Sequence, residues 1–123
     1  MIKVILSLLF VTCCISMNAQ NTIDRATIKS SPDQVSEFSV EDTELLSKNF
    51  NQITKNQTQA LYNLFVHKYE TLSKDTSEQD LVSLTDSMKA RIKVVLGDDL
   101  YMEVSQNQDL FYRITGLAYL AQD

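Results

Sequence analysis

Apolar residues recur along this chain at the spacing of helices, and polar caps separate the runs. From Ser39 the pattern Ser39-Val40-Glu41-Asp42 reads as an N-cap followed by acidic residues. Leu46, Phe50 and Ile53 then fall on one helical face, which predicts a first helix over about 40–52. Ile53-Thr54-Lys55-Asn56-Gln57 restarts the chain. The Thr54 hydroxyl is placed to accept from the Gln57 N–H, and the Gln57 side chain to reach back to the Thr54 N–H, which is a capping box. Behind it, Leu61, Leu64, Phe65, Tyr69 and Leu72 keep the 3.6 period, with Lys68 as a polar interruption, so a second helix is expected over about 55–73.

The joint Lys74-Asp75-Thr76-Ser77 offers two caps, Thr76 to Gln79 or Ser77 to Asp80. Leu81, Leu84, Met88, Ile92, Val95 and Leu96 form the cleanest stripe in the chain, and Gly97 ends it as a C′ glycine. Asp98 or Asp99 is expected to cap a fourth helix carrying Leu100, Val104, Phe111 and Ile114, weakened near its end by Gly116. No strand pattern or long repeat interrupts this order. The expected architecture is all-α: about four short amphipathic helices in a hairpin or bundle.

The ends of the chain read differently. Met1-Ile2-Lys3, the apolar run Val4 to Ser16 and the polar close Met17-Asn18-Ala19-Gln20 have the order of a secretory signal peptide over 1–19, cut after Ala19. The apolar run is short for a bilayer span, so no stable span is expected after cleavage. An uncleaved anchor is the alternative. Residues 20–38 hold Asn, Thr, Ser, Asp and Pro32 without sustained periodicity, and are expected to be a flexible leader before a helical domain at 39–123. Both cysteines, Cys13 and Cys14, fall within the signal, so the mature chain would have no disulfide or thiol nucleophile. A lipoprotein reading would acylate one of them, but Thr12 stands where a small residue usually precedes the cysteine.

Composition narrows the function classes. The 123 residues are 44% hydrophobic, with 2 Gly and 1 Pro, enough for a packed core and too few turn residues for a β-sandwich. The net charge is −5, and cleavage of Lys3 leaves ten basic against sixteen acidic residues, or −6. Nucleic acid is therefore not an expected partner, since phosphate recognition needs a basic patch. With one His and no mature Cys, no metal or other cofactor is expected. His67 has Glu70 at i+3 but lacks further ligands, and Asp98 with Asp99 is better read as charge at a helix start than as a catalytic pair. No enzyme activity is expected. A small domain builds only a thin core, so a second copy of the chain is an expected partner.

The motif Ile53-Thr54-Lys55-Asn56-Gln57 fits Leu/Ile-Thr-x-x-Gln, and about forty residues later Leu96-Gly97-Asp98-Asp99-Leu100-Tyr101 stands where a second copy would fall. In that second copy Gly97 replaces Thr and Leu100 replaces Gln. The pair resembles the Spy/CpxP (LTxxQ) family of small periplasmic helical proteins, over about residues 40–115. The resemblance implies a curved helical dimer of the bacterial envelope that shields unfolded clients, damps an envelope-stress sensor or senses metals. It also implies that Ile53, Thr54, Gln57, Leu96, Gly97 and Tyr101 are structural residues of the helix junctions. The expected function is an exported, non-enzymatic, chaperone-like protein that covers apolar segments of partners; the alternative is an adaptor for one envelope protein. Tyr62, Phe65 and Tyr69, among the aromatics that also include Phe111, Tyr112 and Tyr119, are candidates for a partner-binding face, with Lys89, Arg91 and Lys93 as the one dense basic group.

Overall fold

A computed structural model describes residues 22–120; the expected signal segment and both cysteines lie outside the described residues. Among the described residues there are seven α-helices and no strand: α1 Arg25–Ser30, α2 Val35–Asn49, α3 Lys55–Leu72, α4 Glu78–Leu96, α5 Asp98–Gln106, α6 Gln108–Thr115 and α7 Leu117–Leu120. A 3-10 turn, Pro32–Gln34, joins α1 to α2. None of these helices is long and apolar enough to cross a membrane.

The all-α expectation holds, but the count and three boundaries differ from it. Residues expected as a flexible leader form α1 and the first turn of α2, because Ile28, Val35 and Phe38 are apolar anchors and all three are buried. Ser39 is therefore not an N-cap. It lies within α2, fully buried, and its hydroxyl donates back to the Val35 carbonyl at 2.8 Å. The expected fourth helix is two helices, α5 and α6, and the apolar end Leu117–Leu120 forms the short α7. Asn107 stops α5 and starts α6, its side chain accepting from the Leu110 N–H at 3.4 Å, and Gly116 at φ +89° ends α6 in the left-handed conformation. Asp98 and Asp99 do not cap α5 but occupy its first turn, where Gly97 precedes them and negative charge suits the helix dipole.

Where caps were legible the helices follow them. Thr54 makes the full capping box ahead of α3, and the Ser77 hydroxyl accepts from the Asp80 N–H at 3.1 Å ahead of α4. Gly97 closes α4 at φ +86°, a conformation that a side chain would strain. Helices α2, α3 and α4 pack side by side. α6 lies across α2 and α4, α7 rests on α4, and α1 leans on α3. The core between them is built from Leu46, Leu61, Phe65, Leu84, Met88, Ile92 and Ile114, among others. Phe38 meets Tyr69 with ring centres 5.5 Å apart.

Candidate functional site: a motif junction and a buried ion cluster

Two structures organise this molecule, and the shorter-range one comes from the motif. The Gln57 N–H donates to Thr54 Oγ1 at 3.1 Å, and the Thr54 N–H donates to Gln57 Oε1 at 2.9 Å. The same Gln57 side chain then uses its amide nitrogen to donate to the Val95 carbonyl at 3.1 Å. That carbonyl belongs to the last turn of α4, where the helix leaves carbonyls without partners. Because the chain reverses over residues 73–77, the start of α3 lies against the end of α4. The two motif segments thus meet at one end of the fold. Ile53 packs on the core there, Leu96 is buried, and Tyr101 sits edge-on to Phe111 with ring centres 5.7 Å apart.

The second structure was not anticipated as a site. Asp42 on α2, Lys68 on α3 and Arg113 on α6 converge inside the core, with Asp42 and Lys68 fully buried. Lys68 Nζ donates to Asp42 Oδ2 at 2.5 Å and to the carbonyls of Arg113 at 2.8 Å and Ile114 at 3.3 Å. Arg113 Nε donates to Asp42 Oδ1 at 2.6 Å, while its Nη2 donates to Glu41 at 3.0 Å. The Tyr69 hydroxyl donates to both Asp42 oxygens at 3.0 Å. Lys68 also lies over the Phe65 and Tyr69 rings, 5.0 and 4.3 Å from their centres. Among the described residues no buried side-chain polar atom lacks a partner.

Burial pulls the Lys68 ammonium below its ordinary pKa, against the pull of the Asp42 charge. Three oxygens, Asp42 Oδ2 and the carbonyls of Arg113 and Ile114, surround the ammonium. Burial pushes the Tyr69 phenol well up, and the Asp42 carboxylate adds to the push. Burial pulls the Arg113 guanidinium down, but the Asp42 charge, Tyr69 and the hydrogen bonds to Asp42 and Glu41 together outweigh it and the group ends above its ordinary value. Two cations face one buried carboxylate and one exposed one, Glu41, so the charge balances only at the surface edge. The cluster fastens helices: Lys68 satisfies carbonyls at the end of α6 while Asp42 ties that helix to α2. Arg113 alone reaches a surface cleft, about 530 Å³, which it lines with Glu41, Glu44, Leu45, Ser47 and Lys48.

The expected partner face is redistributed by the fold. Phe65 and Tyr69 have no exposed surface and belong to the core, so they are withdrawn from any partner surface of the folded chain. The reason is that α2 covers the very stripe that α3 presents. Tyr62 is half-buried, with its hydroxyl 2.8 Å from the Ser36 hydroxyl. Arg91 and Lys93 are exposed and Lys89 half-buried, and Lys93 lies 5.9 Å from the Tyr101 ring centre. His67 and Glu70 are both exposed on α3, and among the described residues no group of three metal-ligating side chains gathers. Among the described residues the most exposed large apolar side chains are instead Val94, at 83%, and Met102, at 62%. Two shallow grooves flank them: one of about 340 Å³ lined by Ala60, Asn63, Leu64, Arg91, Val94 and Val95, and one of about 290 Å³ lined by Lys93, Asp98, Tyr101, Met102 and Ser105.

The one sequence signal for the ion cluster was Lys68 itself. A lysine inside an otherwise apolar stripe must leave the core or find a buried anion, and here it finds one. No family model, no curated protein and no solved structure matches this chain.

Proposed function

We propose that this chain is an exported, non-enzymatic helical binding protein of the bacterial envelope, built on the LTxxQ plan, which docks one protein partner at its motif-bearing end. The observation that carries this is the placement of Met102 beside Tyr101 in an open groove at the junction that Gln57 ties together. Apolar side chains held exposed on a rigid, well-capped end are a usual feature of protein-binding surfaces. The completed capping box and the Gln57–Val95 bond support the resemblance to the LTxxQ proteins, since they give Ile53, Thr54 and Gln57 the structural role it implies.

Of the two modes open to such a protein, a single-partner adaptor fits better than general shielding of unfolded clients. Shielding of many clients is served by a large contiguous apolar surface, and Phe65, Tyr69 and Tyr119 are in the core. The test has two arms. The protein is added to two unrelated denatured proteins while light scattering is followed, and it is titrated against envelope extract with Met102→Asp as control. No suppression of aggregation, together with one saturable partner lost in the Met102 variant, is the expected result. Suppression of both clients near equal ratio would overturn the adaptor mode in favour of shielding.

A further inference from the structure

Where α6 crosses α2, the Arg113 side chain, 4% exposed, forms one wall of the open cleft of about 530 Å³. Every other residue named in its lining, Glu41, Glu44, Leu45, Ser47 and Lys48, comes from α2. Asp42 accepts from Arg113 Nε at 2.6 Å and so orients the guanidinium, but the same carboxylate also serves Lys68 and Tyr69. Glu41 takes one N–H of Nη2 at 3.0 Å. The remaining N–H groups of the fork have no partner among the described residues. No buried side-chain polar atom among those residues is unpaired, so Nη1 lies at a surface, and the surface that Arg113 reaches is this cleft.

An oriented guanidinium with free N–H groups takes a planar carboxylate through two parallel bonds, which the single Glu41 contact does not supply. Glu41 is a loosely held occupant, since its side chain is 59% exposed and such pairs are weak. A simple anion does not suit the cleft, because Glu41 and Glu44 stand one turn apart on its wall and repel it. A carboxylate that arrives with a positive charge beside it meets both conditions. It takes Arg113, and its cation is received by the displaced Glu41 and by Glu44. An α-amino acid carries those two charges on one carbon. We propose that this cleft binds a free α-amino acid, its carboxylate on Arg113 and its ammonium between Glu41 and Glu44.

The rest of the lining selects the side chain. Past Glu44 the α2 stripe runs over half-buried Leu45 to exposed Lys48, about 10 Å along the axis from Glu41. Lys48 makes no ion pair among the described residues, and helical side chains lean back toward the N-terminus, which brings its ammonium toward the middle of the cleft. A short apolar stem over Leu45 that ends in a carboxylate at Lys48 describes glutamate. None of these residues lines the Tyr101–Met102 groove, so this site does not depend on the partner-docking reading.

The test is an amide NMR titration of the protein expressed from its full-length gene, with L-glutamate as the probe. A ligand of about ten heavy atoms in an open cleft should saturate with a Kd of about 1 mM, shifting residues 41–48 and Arg113. N-acetyl-L-glutamate lacks the ammonium and L-isoglutamine lacks the α-carboxylate, and each should bind about tenfold more weakly or worse. L-glutamine should bind about threefold more weakly than L-glutamate, and Lys48→Ala should abolish that difference. Glu44→Gln should weaken L-glutamate about fivefold. Glu44 and Lys48 are exposed, so the urea midpoint should stay unchanged in both variants. No saturable shift of these residues up to roughly 20 mM would overturn the proposal. So would N-acetyl-L-glutamate binding as tightly as L-glutamate, or a Glu44→Gln variant that titrates like wild type. A Lys48→Ala variant that still prefers L-glutamate to L-glutamine would overturn the side-chain assignment.

Discussion

Removing the Asp42 carboxylate should unfasten the molecule about as much as truncating a large core side chain. In Asp42→Ala, Lys68 stays fully buried with two neutral carbonyls as its remaining acceptors, at 2.8 and 3.3 Å. Arg113 keeps Glu41 alone, and the Tyr69 hydroxyl loses both its acceptors. Breaking a buried ion pair from one side costs about 3–5 kcal/mol, because the remaining charge is left uncompensated. An orphaned buried hydroxyl adds about 1 kcal/mol or more, part of it shared with the first figure. The expected loss is about 4 kcal/mol, against a total stability of about 5–15 kcal/mol for a domain of this class. With a urea slope of about 2 kcal/mol per molar, the midpoint should fall by about 2 M. Urea unfolding followed by circular dichroism measures it. Replacing the two partners together, Asp42→Leu with Lys68→Met, should cost less than Asp42→Ala alone, since no charge is then stranded. A loss under about 1 kcal/mol for Asp42→Ala, or a double variant weaker than it, would refute the view that this ion cluster fastens α6 to α2 and α3.

Two further predictions concern stability. Gln57→Ala removes half of the capping box and the bond to Val95, so it should cost about 1–2 kcal/mol, more than Thr54→Ala at about 1 kcal/mol, by the same unfolding assay. At high pH, Tyr69 and Tyr119 are held above their ordinary values, first by burial and then by the Asp42 charge. A raised folded value adds stability that is fully present below the unfolded value of about 10 and is lost as pH rises through the folded one. Lys68, lowered by burial, works the other way: its penalty at neutral pH fades as pH approaches about 10.5. Burial holds both phenols above the ordinary range, so tyrosinate absorbance from Tyr69 and Tyr119 should appear only as the chain unfolds above about pH 10. Tyrosinate absorbance from these two rings at about pH 10 in the still-folded chain would contradict the assignment.

How legible each part was depended on how local its cause is. The capping box at Thr54, the serine cap at Ser77 (one of the two the pattern offered) and the glycine stop at Gly97 each involve residues within four positions. The first two form as written, and Gly97 ends α4 where expected but as its C-cap at φ +86° and ψ 162° and not as a left-handed C′ residue. The stripe on α4 is buried at Leu81, Leu84, Met88, Ile92 and Leu96, as its period required. Residues 25–38 were harder, because one buried isoleucine, Ile28, and a proline-led turn do not make a period. α1 is held from outside, by Arg25 donating to the Lys74 carbonyl at 3.2 Å and the Tyr119 hydroxyl donating to the Ile23 carbonyl at 2.7 Å. The break at Asn107 leaves no mark in the spacing, since the apolar positions on either side stay in register across it.

What the sequence by itself determined is the helical class, the apolar faces of α3 and α4, and the junction where the motif begins. These follow from spacing and from side chains that bond their own backbone, and no other part of the chain can change them. Which apolar face is outside and which is inside was decided only in three dimensions. Phe65 and Tyr69 carry the chemistry of a partner surface, and α2 covers them. Asp42 reads as an acidic residue at a helix start, Lys68 as a flaw in a stripe and Arg113 as one charge among many. Separated by 26 to 71 positions, they become one ion cluster only when α2, α3 and α6 close around them. A buried charge is tolerable only beside its opposite, and that pairing is set by packing.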